Sequence, residues 1–160
     1  MINNGKRLES NFKKSVPSNI FFYRFKDGSS AWGGNDKVRF QSSNICDCML
    51  YNGSKLYLIE LKSVKGKSLP FTNIRKNQIE ELSKAHEFYN IYAGLVIEFS
   101  DLDRAFFIDI KTVEEFINKG DRKSLPVDYV ATNGIEIGVS KKKVNSVFNI
   151  DKMLLEISEV

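Results

Sequence analysis

Apolar positions change period several times along this chain, and each change marks an element. Leu8 and Phe12 lie one helical turn apart in a polar stretch, which predicts a helix over residues 5–15 capped by Asn4. Ser15-Val16-Pro17 ends it, because the residue before a proline is pushed out of helical space. The run IFFYRF at residues 20–25 is aromatic and β-rich and reads as a strand. A polar, glycine-containing segment around the single tryptophan follows over residues 26–44, long enough to be a functional loop or a protruding ribbon. Residues 46–51 and 54–64 form two strands joined at Asn52-Gly53, a strong hairpin signal. Residues 65–70 read as a basic loop. Ile79, Leu82, Ala85 and Tyr89 recur at helical spacing and predict a helix over residues 73–89. Two further strands, at residues 91–99 and 104–110, flank the turn-prone Ser100-Asp101-Leu102-Asp103. A short helix over residues 111–119 stops at Gly120. Beyond it come a loop of mixed charge, a short strand at residues 135–139 and an unassigned C-terminal segment. The order α-β-β-β-α-β-β-α predicts an α/β fold, a mixed central β-sheet flanked by helices.

Composition narrows the class. With 160 residues, 42% hydrophobic and 28% charged, the chain has the size and apolar content of a single globular domain over residues 1–160. Disorder, collagen-like repeats and coiled coil are excluded. No apolar run approaches the ~20 residues of a membrane span, and MINNGKRLES carries no signal-peptide hydrophobic region, so a cytoplasmic protein without membrane contact is expected. The net charge of +4 hides an asymmetry: residues 1–79 hold 14 Lys/Arg against 5 Asp/Glu, and residues 80–160 hold 10 against 15. The first half is expected to face a polyanion while the second scaffolds it.

The hairpin brings charged side chains together. With a two-residue loop at Asn52-Gly53, opposed residues have numbers summing to 105. Asp47 then faces Leu58, and Glu60 is its diagonal neighbour at ~7–8 Å. Glu60 and Lys62 are two apart on one strand and share that face. A four-residue loop keeps this register, whereas a three-residue loop with a bulge moves Asp47 to the other face. Two carboxylates with an adjacent ammonium make a natural Mg²⁺ site, because magnesium takes few carboxylates and keeps waters. Such a metal polarises a phosphoryl oxygen and lowers the pKa of water, and a lysine offsets charge developing on the phosphorane. Leu56, Leu58, Ile59 and Leu61 surround the charged pair, where burying Glu and Lys without purpose is costly. On spacing alone, an exposed Glu60–Lys62 surface pair competes with this reading.

Other residues carry less. Cys46 and Cys48 alternate with Asp47, so both thiols are expected to point away from the patch into the core. A zinc site would need two more ligands, and His86 is the sole histidine. Zinc is therefore rejected, and His86 reads as an interfacial or solvent residue. Glu9 lies four residues before Lys13, the spacing of an ordinary helix ion pair. Gln78 falls at the edge of the stripe through residues 82, 85 and 89.

Asp47, followed after a hairpin by Glu60-Leu61-Lys62, resembles the PD-(D/E)xK nuclease core, a restriction-endonuclease-like fold. More of the chain resembles the RecU-type Holliday-junction resolvases in their short phage or prophage versions. The stretches that carry this are GKRLESNFKKSVP, LYLIELKSVKGKSLPFTNIRKNQIEEL, GDRKSLPVDY and FNIDKMLLEI. The resemblance implies that Asp47 and Glu60 hold Mg²⁺, with Mn²⁺ able to substitute, and that the Leu61 carbonyl is a further ligand. It implies Lys62 as the catalytic lysine, with Glu9 and Gln78 as catalytic neighbours. It also implies a homodimer acting on branched DNA, nicking a four-way junction symmetrically and leaving 5′-phosphates, with residues 26–44 entering the junction's centre. Two departures stand out: Cys46 replaces the proline before the first aspartate, and the segment from Phe25 to Asp47 is shorter than the stalk of cellular RecU.

Given a DNA substrate, the basic residues near the patch become expected phosphate contacts. They are Lys6, Arg7, Lys13, Lys14, Lys37, Arg39, Lys65, Lys67, Arg75 and Lys76, with Trp32 able to stack on an unpaired base. The expected function is a metal-dependent endonuclease for four-way junctions in recombination or phage DNA processing. The alternatives are a nuclease of the same core acting on linear or damaged duplex, and a non-catalytic DNA-binding module.

Overall fold

A computed structural model describes residues 3–26, 44–142 and 145–159. Almost all of the expected protrusion, with Trp32, Lys37 and Arg39, lies outside the described residues. The first helix, α1 (Asn4–Ser15), leads into β1 (Phe21–Arg24), β2 (Cys48–Tyr51) and β3 (Leu56–Val64). A short β4 (Ser68–Pro70) and a 3-10 turn at Phe71–Asn73 precede α2 (Lys76–Ala85). Then come β5 (Ile91–Phe99), β6 (Arg104–Asp109), α3 (Ile110–Asn118), β7 (Ser124–Pro126) and α4 (Val127–Asn133). The chain finishes with β8 (Ile135–Glu136), the hairpin β9 (Val139–Lys142) and β10 (Asn145–Phe148), and α5 (Ile150–Ile157).

Six strands form one sheet in the order β1-β2-β3-β5-β6-β8. Only β3 and β5 run parallel, so the sheet is mixed, as expected. A parallel pair needs a crossover, and β4 with α2 supplies it. Leu58, Leu95, Ile97, Phe106 and Ile108 line the face packed against Leu82 of α2, Val113 of α3 and Val130 of α4. Leu50, Tyr57, Ile59, Val96 and Phe107 line the other, against Leu8 and Phe12 of α1 and Met153 and Ile157 of α5. Burial on both faces explains why β3 and β5 read as nearly unbroken apolar runs. No helix among the described residues is long and apolar enough to cross a membrane.

Several expectations need correction. The cap of α1 is Asn3, whose side chain accepts from the Gly5 N–H at 3.0 Å. Helix α2 is shorter than its periodicity suggests and ends at Ala85. Tyr89 therefore leaves the buried stripe and is 92% exposed. His86 helps to terminate the helix: its Nδ1 accepts the Ala93 N–H at 3.1 Å, which leaves the proton on Nε2 to donate to Asp109 at 3.2 Å. Asp109 in turn caps α3 through the Lys111 N–H at 2.8 Å. His86 thus ties α2 to β5 and α3, and is not a free solvent residue. The basic loop over residues 65–70 contains β4, which pairs with β7. Helices α4 and α5 escaped the pattern: α4 has seven residues, too short for a clear stripe.

One packing detail gives a stability prediction. The Phe107 ring lies 2.5 Å from where a Cβ on Gly94 would stand, and the Ile108 carbonyl crowds the same point. Gly94→Ala is expected to lower stability by about 1–3 kcal/mol through overpacking, read as a lower urea midpoint at unchanged m-value.

Candidate active site

The β2–β3 turn decides which side chains meet. It spans four residues, 52–55, because the Asn52 side chain accepts from the Ser54 and Lys55 N–H groups at 3.1 and 2.8 Å. Tyr51 opposes Leu56 and Cys48 opposes Ile59, so paired numbers sum to 107 rather than 105. The shift of two preserves parity, and the expected face survives. Continued by one residue, the register sets Asp47 opposite Glu60 instead of diagonal to it.

Asp47 lies just before β2, and backbone bonds fix it on both sides. Its Oδ2 accepts the Leu61 N–H at 2.7 Å, and its carbonyl accepts the Phe25 N–H at 2.9 Å. Glu60 shares its parity with Leu58 and Val64 along β3 and so points toward α2. It is 2% exposed, and its Oε1 meets Lys62 Nζ at 2.8 Å. This ion pair forms, but it is not the exposed surface pair that spacing alone allows. Gln78, buried on the first turn of α2, hydrogen-bonds Glu60 from the helix side. Glu60 Oε2 and Gln78 Oε1 are both buried without a partner.

Electrostatics follow from this crowding. Burial, then repulsion from Asp47, raises the Glu60 pKa, while Lys62 and Gln78 pull it back. Cys46 and Cys48 do not share one direction. Cys46 packs with the cluster containing Leu58, and Cys48 with the one containing Ile59, across the sheet. Cys46 precedes the first paired residue of β2, so strand alternation does not govern it. Burial, helped by Glu60 and Asp47, pushes its thiol up to about 12, which keeps it neutral and unreactive.

The structure sorts the remaining expected residues. Glu9 is paired with Arg24 of β1, which sits opposite Cys48 at the end of β2. Arg24 was missed in the sequence, although it is the only charge in IFFYRF. Arg7 meets the buried Glu98 at 3.4 Å, and Ser63 Oγ donates to the same oxygen at 2.8 Å. That commitment inside the fold sets Arg7 apart from the other basic residues. Lys6, Lys13 and Lys14 are exposed on α1. Lys65, Lys67, Arg75 and Lys76 are exposed on the crossover between β3 and α2, so the basic set divides between the two faces of the sheet.

Among the described residues, no group of three or more His, Cys, Asp or Glu side chains is placed to hold a metal. The available donors are instead oxygens: the Asp47 carboxylate and the unpartnered Glu60 Oε2 and Gln78 Oε1. Such a set suits a hard cation that keeps part of its water shell, and not zinc.

At 31% identity over 171 aligned positions, the chain resembles the SPbeta prophage-derived uncharacterized protein YotM of Bacillus subtilis (strain 168), covering 97% of this chain and 87% of that protein. Among solved structures, Hjc of Archaeoglobus fulgidus, a Holliday junction resolvase from an archaeal hyperthermophile, superposes with a TM-score of 0.53 at 17% identity. The match covers 83% of this chain and 96% of that one, and it shows a shared restriction-endonuclease-like fold. The family model described as Recombination protein U matches residues 6–152, a span that includes Glu9, Asp47, Glu60, Lys62 and Gln78, and the chain belongs to this RecU family.

Proposed function

We propose that this chain is a Mg²⁺-dependent endodeoxyribonuclease that resolves four-way DNA junctions as a homodimer, by symmetric nicks that leave 5′-phosphates. The observation that carries the reading is Glu60: a buried carboxylate with one oxygen bound by Lys62 and the other unpartnered, facing Asp47. A carboxylate left in that state costs stability unless it serves a ligand. Membership of the RecU family supports junction resolution, and the prophage relative supports a place in phage DNA recombination and repair in the cytoplasm.

Asp47, Glu60 and the Leu61 carbonyl would hold the cation, and Mn²⁺ is expected to substitute. When bound, the cation supplies Lewis-acid polarisation of a phosphoryl oxygen and eases deprotonation of water. The Leu61 N–H fixes the direction of the Asp47 carboxylate. Gln78 holds Glu60 in place, so the acid does not reorient as charge builds up. Lys62, held 2.8 Å from Glu60, offsets negative charge on the phosphorane. Glu9, paired with Arg24 of β1, would approach from the α1 side.

The direct test is cleavage of a labelled four-way junction in Mg²⁺ beside a linear duplex of matched sequence. Asp47→Asn and Lys62→Ala are each expected to slow nicking by about 10²–10³-fold. Nicking that survives both substitutions overturns the site assignment. Tight junction binding with no cleavage in Mg²⁺ or Mn²⁺ points to a binding module, and equal cutting of linear duplex removes the junction specificity.

A second test reads stability. The folded chain holds the Glu60 proton more tightly than the unfolded chain, so stability without metal falls as pH rises from the ordinary carboxylate range through the raised folded value. Glu60→Gln is therefore expected to be more stable than the native chain at neutral pH in EDTA, with the gap closing in acid. Mg²⁺ at a hundred times its Kd adds ~2.7 kcal/mol to the native chain and less to the variant, measured by thermal unfolding.

A further inference from the structure

We propose that the β4–β7 ribbon is a phosphate clamp for one duplex arm of the substrate, with Arg122 and Lys123 as contacts supplied by the second half of the chain. The inference rests on the junction-nuclease reading and adds to it a place for the arm that leaves the site.

The ribbon is built from a repeated tetrapeptide. Lys-Ser-Leu-Pro occurs at residues 67–70 and again at 123–126. The two copies pair antiparallel, Leu69 opposite Leu125, with Ser68 Oγ and Ser124 Oγ at 2.6 Å. Both leucines are fully buried, which anchors the ribbon to the face of the sheet that carries Glu60. Each lysine carbonyl then accepts an N–H just beyond the other copy: Lys67 from Val127 at 2.8 Å and Lys123 from Phe71 at 3.1 Å. The two lysines consequently stand at opposite ends of the ribbon, ~13 Å apart at ~3.3 Å per strand residue.

Its position follows from the chain. β4 lies in the crossover between Lys62 and Gln78, and its buried Leu69 sets the ribbon on the same face of the sheet as Glu60. At the Lys123 end, Phe71 opens the turn that leads to Arg75 and Lys76 at the start of α2. Arg122 and Lys123, both exposed, thus stand at the end of the ribbon from which the turn runs to the exposed Arg75 and Lys76. Lys65 and Lys67 occupy the other end. Among the described residues no carboxylate pairs with Arg122 or Lys123, and Lys76 has only its exposed helix neighbour Glu80 at 3.7 Å. The acids nearby are few: Asp121 beside Arg122, Asp128 beyond Val127, and Asp101, which is occupied by the Gly66 N–H at 2.9 Å. Cations strung along a rigid edge, with no groove-entering helix, fit a duplex backbone read by charge and shape.

The test is the salt dependence of binding of the full chain to a fluorescent four-way junction in EDTA, between 50 and 200 mM salt. Arg122→Ala/Lys123→Ala is expected to make the slope of log K against log[salt] shallower by ~1.8, which is ~0.9 for each lost phosphate contact. Arg122→Lys/Lys123→Arg keeps the charge and should keep the slope, as should Lys84→Ala at the far end of α2. A native slope in the alanine pair overturns the clamp while leaving the nuclease reading intact. An equal loss in the charge-preserving pair assigns the residues to packing and also overturns it. A native chain that neither binds nor nicks junctions overturns the nuclease reading, and the clamp with it.

Discussion

The desolvated carboxylate of Glu60 is the constraint around which the crossover side of the molecule is arranged. A charge at 2% exposure, on a strand buried on both faces, is tolerated only where other groups compensate it. Lys62 does so from the same strand and Gln78 from α2, which fixes how the crossover helix sits on the sheet. Asp47 opposes the compensation, and its own direction is set by the Leu61 N–H rather than by a freely chosen rotamer. Strand register, helix placement and side-chain charge are thereby coupled through one residue.

The second buried acid shows the contrast. Glu98 lies opposite Ser63 in the parallel register, one step from Lys62 but on the other face. Arg7 and Ser63 both serve it, and that cluster knits α1 to the sheet. Glu60 retains an unpartnered oxygen, whereas neither Glu98 oxygen is left buried and unpaired. Burial alone does not distinguish the two acids; the bonding capacity left unfilled at Glu60 does.

Much of this was legible beforehand, for identifiable reasons. Parity along β3 depends only on strand geometry, so Glu60 and Lys62 could be placed on one face before the turn was known. The length of β5 is written in nine residues of nearly continuous apolar sequence. The exact opposition of Asp47 was not legible, because the Asn52 side chain sets the turn length by a local bond that Asn52-Gly53 does not announce. The end of α2 was hidden because Tyr89 keeps helical spacing, while His86 and the left-handed Asn90 redirect the chain. Charge counting by halves also misled in part: Arg122 and Lys123 belong by sequence to the acidic half, yet β7 pairs with β4 and so sets them beside the basic crossover.

The parallel pairing of β3 with β5 has a consequence for how the site comes into being. Hairpin contacts between β2 and β3 are local and form early, but the β3–β5 ladder requires closing the whole crossover first. Gln78 rides on that crossover, so Asp47 and Glu60 can be neighbours in a nascent chain while the third wall of the site is still absent. A cation held between Asp47 and Glu60 would accordingly meet its complete surroundings only once the crossover has closed.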